Sequence, residues 1–198
     1  MAAIIAIVIA YLLGSLSTSI ILSKVLKAPD PRTEGSGNAG ATNILRTLGK
    51  KEALVVLVGD ILKGLIAVLI GHALQVEGFM LGLVAFAAVV GHVFPLFFKF
   101  KGGKGVATSI GCVLGLSFIS GIIMAVVWVA VAAIVGYASL ASMVSVVVAI
   151  ILLLIFSKTA YFIPSVLIAA LVIWKHTDNI KRLQDKSEPK VDLKQVFK

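Results

Sequence analysis

Long uninterrupted apolar runs alternate with short polar strips along this chain, and the runs have the length of membrane-crossing helices. Ala2 to Leu22, Ala53 to Leu74 and Gly78 to Phe98 each reach the ~20 apolar residues that an α-helix needs to span a bilayer. They lack the short alternating segments of a membrane β-barrel. Val106 to Trp174 is longer still and contains three candidate breaks: SFISG at Ser117–Gly121, GYAS at Gly136–Ser139 and SKTAY at Ser157–Tyr161. Three breaks make four helices, the first two short. The pattern predicts an all-α integral membrane protein of seven transmembrane helices. It forms a single domain over 1–198, with a loosely ordered polar tail over about 189–198.

Charge sets the orientation. No lysine or arginine precedes Lys24, whereas Lys24, Lys27 and Arg32 follow the first run. The positive-inside rule then places the N-terminus outside and the first loop in the cytoplasm. A cleaved signal peptide would carry a basic leading segment, so Ala2 to Leu22 reads as a retained helix. The link QVEGF has no basic residue and reads as external; the strip with Lys99, Lys101 and Lys104 reads as internal, as does the basic tail from Lys175. Lys158 falls outside, a violation that snorkelling tolerates.

Composition agrees with this picture. The 198 residues are 60% hydrophobic and 14% charged, with mean hydropathy +1.10, more apolar than a soluble domain of this length. The net charge of +9 reports cytoplasmic loops rather than nucleic-acid binding. The single cysteine, Cys112, cannot form an intrachain disulfide. Gly111 and Gly115 form a GxxxG pair suited to close helix packing.

Candidate chemistry lies in three polar strips on one side of the membrane. The first, RTEGSGNAGATNILR (Arg32 to Arg46), spells G-x-G-x-x-G without the strand that a dinucleotide-binding unit requires. Its glycines, Gly37 included, expose backbone N–H groups to an anion, and Ser36, Asn38, Thr42, Asn43 and Arg46 add donors. A short helix is expected to begin near Gly40. The second strip, GHVFPLFFKFKGGKGVATS (Gly91 to Ser109), lacks Walker A spacing. Gly102, Gly103 and Gly105 with Lys101 and Lys104 nevertheless suit a phosphate cradle at a helix starting near Val106. In the third, WKHTDNIKRLQDKSEPK (Trp174 to Lys190), His176 and Asn179 share a helix face, followed by Lys181 and Arg182. Within the apolar runs, Asp60 and Lys63 are three apart and read as a structural ion pair or a functional pair. Ser139 and Ser142 fall at a helix end.

Together the strips resemble the bacterial acyl-phosphate-dependent glycerol-3-phosphate acyltransferases, the PlsY family. GSGNAGATNILR, GHVFPLFFKFKGGKGVAT and HTDNIKRL with a later glutamate match its three cytoplasmic motifs, and GDILKG and YASLAS are also similar. The resemblance implies transfer of a fatty acyl group from acyl phosphate to the sn-1 hydroxyl of glycerol 3-phosphate. The products are lysophosphatidic acid and inorganic phosphate, at the first step of phospholipid synthesis. It implies no cofactor, no metal, no coenzyme A and no carrier protein as direct donor. It places the enzyme in the bacterial inner membrane with a cytoplasmic active site, among membrane lipid. Substrate handover is then possible from the acyl-phosphate-producing enzyme and to the next acyltransferase.

By resemblance Ser36 and Arg46 are essential, and Gly102, Gly103, Lys104 and Gly105 hold the phosphate of glycerol 3-phosphate. His176 and Asn179 orient the acceptor hydroxyl, with His176 a candidate general base, and Glu188 is structural. Lys63, Thr108 and Ser142 complete the residues assigned to substrate. The chain lacks the H-x-x-x-x-D signature of CoA-dependent acyltransferases, which leaves substrate-assisted proton transfer open. An organophosphate or anion transporter is the alternative reading, but a transporter needs its site near the midplane. A purely structural subunit leaves the glycine-lysine strip unexplained.

Overall fold

The computed structural model describes residues 1–191; residues 192–198, the end of the expected polar tail, lie outside them. Ten α-helices and two short 3-10 turns occur among the described residues, with no strand. They are α1 (Ala2–Gly14), α2 (Thr18–Val25), α3 (Ala41–Thr47), α4 (Lys50–Ala73), α5 (Gly78–Val93), α6 (Val106–Leu116), α7 (Phe118–Val135), α8 (Ala138–Phe156), α9 (Phe162–Trp174) and α10 (Thr177–Gln184). Large apolar side chains such as Ile4, Val58, Ile119, Ile134 and Ile155 point outward uncovered. That is stable only where lipid replaces water, so this is an integral membrane fold.

Small residues let the helices approach. A Cβ on Gly111 of α6 would collide with Ile61 O of α4, and one on Gly64 of α4 with Thr108 O of α6. The GxxxG packing role of Gly111 is therefore met, across the most extensive helix pair in the bundle. Gly14 of α1 against Ala88 O, and Gly91 of α5 against Tyr11 O, do the same for the next pair.

The expected breaks fall where helices end. Ser117 separates α6 from α7 and its side chain accepts the Ser120 N–H as an N-cap. Gly136, at φ 78°, ends α7, and Ser157 ends α8. Lys158, the exception to the charge rule, lies 3.5 Å from Glu77 of the QVEGF link, at the end of the bundle away from the polar strips. The first run departs from expectation: it is not one helix but two, bent by 42°. Ser15 to Ser17 interrupt it, and the Leu16 carbonyl accepts a bond of 2.8 Å from Lys63 Nζ. Four helical segments are individually long and apolar enough to cross a membrane, and the two bent pairs raise the number to six. Helix α6, with 11 residues, is shorter.

The shortness of α6 has a local cause. It runs beside α4 with Gly64 set between Thr108 and Cys112, so Val106 starts about level with Asp60. That is about 15 Å along α4 from its first residue, at 1.5 Å per residue. The missing turns are replaced by the glycine-lysine strip. Irregular backbone at such depth is tolerated where it is buried in protein or lines a cavity.

Candidate active site

That cavity is a cleft of about 440 Å³ at one end of the helices, walled by all three strips. The first strip contributes Ser36, Asn38, Thr42, Asn43 and Arg46; the second Lys104, Gly105, Val106 and Ala107; the third His176, Asn179, Arg182 and Glu188. Ile110 and Trp128 add an apolar wall, beside Ser139 and Ser142.

Asn43 builds the first wall. Its Nδ2 donates to Pro31 O (2.9 Å) and Glu34 O (3.0 Å), and its Oδ1 accepts the Ser36 N–H at 2.8 Å. All three bonds hold the loop's own backbone, so Asn43 shapes the wall from which Ser36 projects. Gly35, at φ 58°, passes so close to Asn43 Oδ1 that no Cβ fits. Helix α3 begins one residue after Gly40, as expected, and carries Arg46, whose Nη2 donates to Pro189 O at 3.4 Å.

The second wall is organised differently from the expected cradle. Gly102 and Gly103 donate their N–H groups to Val93 O and His92 O, at 3.2 Å each. They face the end of α5 and do not line the cleft, and Lys101 is exposed beyond it. The left-handed glycine is Gly105, at φ 90°, which caps α6. Helix α6 does start at Val106, and its first-turn N–H groups lack intrahelical partners, the arrangement that favours an anion. Lys104 is the lysine that reaches the cleft. Its Nζ donates to Asn179 Oδ1. Burial, reinforced by Arg182, pushes its ammonium down to about 8.

On the third wall His176 lies just past the end of α9 and Asn179 one turn into α10. The His176 Nδ1 is 2.7 Å from Val172 O, so it carries the proton and leaves Nε2 as the acceptor. Burial holds the imidazole down to about 4, well below its ordinary value. Asn179 Nδ2 donates to Glu188 Oε1 at 2.6 Å, and Arg182 Nε to Glu188 Oε2 at 2.8 Å. Beyond Glu188 the chain turns back along the site, with the Val191 N–H donating to Gly136 O at 2.8 Å.

Of the remaining assigned residues, Lys63, Thr108 and Gly37 lie elsewhere. Lys63 sits inside the bundle, 2.8 Å from Asp60, and is not at the cleft. Thr108 is fully buried against α4, and Gly37 is exposed in the first loop. Ser142 does line the cleft, where it accepts Trp128 Nε1–H at 3.0 Å. Trp128 had no signal in the sequence, being one aromatic residue in an apolar run. Asp60, read with Lys63 as a structural ion pair or a functional pair, lines the cleft, and so does His92. No group of three or more His, Cys, Asp or Glu is placed to hold a metal among the described residues.

Fold and cleft define an all-helical integral membrane protein with a basic, glycine-built site at one end of its helices. The sequence profile of the glycerol-3-phosphate acyltransferase family matches residues 4–186. A glycerol-3-phosphate acyltransferase of Coxiella burnetii (strain RSA 493 / Nine Mile phase I) is 54% identical over 193 residues, covering 98% of this chain and 100% of its own. One from Vibrio cholerae serotype O1 (strain M66-2) is 45% identical over 193 residues, covering 95% and 90%. The crystal structure of PlsY (YgiH), an integral membrane glycerol 3-phosphate acyltransferase, matches in its glycerol 3-phosphate form with a TM-score of 0.92. Its lysophosphatidic acid form matches at 0.90. Both are 36% identical and cover 100% of this chain and 99% of that one. The chain belongs to the glycerol-3-phosphate acyltransferase family, the family its three strips resemble. Membership of an acyltransferase family decides against the transporter reading.

Proposed function

We propose that this chain acylates the sn-1 hydroxyl of glycerol 3-phosphate, taking the fatty acyl group from an acyl phosphate and releasing lysophosphatidic acid and inorganic phosphate. The observation that carries the reading is the meeting of Arg46, Lys104, Arg182 and His176 in one cleft with an apolar wall of Val106, Ala107, Ile110 and Trp128. Two phosphates need cationic partners near one reaction point, and an acyl chain needs an apolar exit. The bound forms of the solved relative support glycerol 3-phosphate and lysophosphatidic acid as acceptor and product.

Lys104 and the α6 N-terminus take the phosphate of glycerol 3-phosphate; Ser36 and Arg46 take that of the donor. The sn-1 oxygen attacks the acyl carbon, an ester bond forms, and the bond to the phosphate oxygen breaks with its electron pair leaving on phosphate. The hydroxyl proton goes to the departing phosphate. A phosphate has its second pKa at about 6, whereas His176 is held at about 4 and is the weaker base. His176 Nε2 therefore accepts the hydrogen bond that aims the hydroxyl, and Lys104 and Glu188 fix Asn179 beside it. The donor is already activated, so positioning and charge stabilisation supply the rate enhancement without a cofactor. Purified protein should release phosphate from acyl phosphate only when glycerol 3-phosphate is present. Release independent of glycerol 3-phosphate, or a requirement for acyl-CoA, would overturn the proposal.

The same reading places the cleft at the cytoplasmic face of the bacterial inner membrane, with seven passes, N-terminus out and C-terminus in. Handover from the acyl-phosphate-producing enzyme and to the next acyltransferase would take place at that face. In Cys112→Ala protein, single cysteines at the exposed positions Gly37, Lys101 and Lys181 should label only from inside. Cysteines at Glu77 and Lys158 should label only from outside. Any exchange between the two groups would refute the topology.

A further inference from the structure

Asp60 lies within a membrane span, 2% exposed. Its Oδ1 accepts a bond from Thr18 Oγ1 at 3.0 Å and lies 2.8 Å from Lys63 Nζ. Lys63 also donates to Leu16 O. One carboxylate thus ties α4 to the bend between α1 and α2. On its other side, His92 Nδ1 of α5 lies 3.7 Å from the same oxygen and has no hydrogen-bond partner. Carboxylates inside a span are expensive, and a buried ion pair adds little stability over an apolar replacement. Something other than stability accounts for this cluster.

The opposite edge of the His92 ring meets the glycine strip. A Cβ on Gly103 would overlap His92 Nε2, with Cε1 at 2.9 Å. A Cβ on Gly102 would overlap the His92 carbonyl, which already accepts the Gly103 N–H. Gly103 is not in the left-handed region, so its backbone admits alanine; the obstacle is His92, with Ala39 O at 3.0 Å a lesser one. The strip rests on the imidazole, and Lys104 is the next residue along.

We infer that Asp60 and His92 form a positioning pair: the Asp60 carboxylate faces the Nδ1 edge of the ring across 3.7 Å and orients it by charge, without a direct hydrogen bond, and the ring sets the seat of Gly102 to Gly105, and so the reach of Lys104 into the cleft. The inference rests on the acyltransferase reading for its kinetic readout only; its steric part is independent of it.

Four detergent-purified variants test it: His92→Ala, Asp60→Asn, Gly103→Ala and the double variant His92→Ala/Gly103→Ala. Asp60→Asn keeps the shape of the side chain and removes its charge. His92→Ala and Asp60→Asn should each raise the KM for glycerol 3-phosphate by about fivefold or more while the KM for acyl phosphate stays within about twofold. Gly103→Ala should lower the Tm and reduce kcat/KM by about a hundredfold alone, but by under about tenfold in the His92→Ala background, because contacting residues couple. A merely structural role would lower Tm without splitting the two KM values.

The same penalty for Gly103→Ala in both backgrounds, or an equal rise in both KM values, would overturn the inference. If a variant does not fold, His92→Gln replaces His92→Ala in the cycle, with the same outcomes required. If the wild-type protein transfers no acyl group, the function reading falls. The Tm cycle then decides the steric contact by itself.

Discussion

Lys104→Ala protein is expected to fold in the membrane and to bind glycerol 3-phosphate about ten- to a hundredfold more weakly, the equivalent of losing one charge-assisted contact of roughly 1.5–3 kcal/mol. Lys104 is the lysine of the glycine strip that reaches the cleft, whereas Lys101 is exposed outside it. Lys101→Ala should therefore change the same KM by less than about threefold. The KM for acyl phosphate should move little, because Arg46, Ser36 and the apolar wall hold that ligand. The pH dependence gives an independent check. Burial lowers the Lys104 pKa from 10.5 to about 8, so the free enzyme loses this charge as pH rises through that value. The protonated form binds the phosphate dianion, so the KM for glycerol 3-phosphate should climb above about pH 8 in the wild type. That alkaline limb should be absent from Lys104→Ala. An unchanged KM in Lys104→Ala, or an identical alkaline limb in both proteins, would remove Lys104 from the phosphate site.

The difference between Lys101 and Lys104 shows where the sequence stops being legible. Apolar length and the breaks at Ser117, Gly136 and Ser157 expose the helices, because spans are bounded by bilayer thickness and their ends need caps. The start of α6 at Val106 and of α3 after Gly40 was legible for the same kind of local reason. The convergence of three polar strips followed from the charge pattern, since loops on one side of a membrane have little room to separate.

What could not be read was long-range. Nothing near Leu16 announces that its carbonyl is to be met by Lys63, so the bend between α1 and α2 is invisible in the apolar run. Gly102, Gly103 and Gly105 look alike in sequence, yet Gly105 is glycine for its positive φ and the other two for the His92 backbone and ring. Asn43 looked like a ligand donor, and its hydrogen bonds go to the loop itself. A run of small and polar residues signals a site; which atoms face the ligand is decided by neighbours distant in sequence.

Turnover, not binding, is expected to suffer in His176→Ala, because the imidazole aims the reacting hydroxyl and makes no contact with either phosphate in the proposed arrangement. Loss of an orienting contact should lower kcat by about ten- to a hundredfold, short of the roughly 10⁴-fold upper range for an obligatory general base. The KM for glycerol 3-phosphate should stay within about twofold. The reason is the depressed pKa. Burial holds His176 down to about 4, against 6.5 for a free imidazole, with the nearby Lys104 charge acting in the same direction. Between these values the unfolded chain binds more protons than the folded one. His176 therefore disfavours the folded state increasingly as pH falls from about 6.5 toward 4, and is silent above that window. Through the same window the folded enzyme keeps Nε2 unprotonated, so kcat should show no loss from this residue between pH 7 and pH 5. His176→Gln supplies the discriminating measurement. A glutamine amide can place an acceptor oxygen near the position of Nε2 but cannot take up a proton at neutral pH. Recovery of about tenfold in kcat over His176→Ala would match an orienting hydrogen bond, with the departing phosphate receiving the proton. If His176→Gln were as slow as His176→Ala, and wild-type kcat fell with an apparent pKa near 6.5, the imidazole would be the general base and substrate-assisted transfer would be wrong.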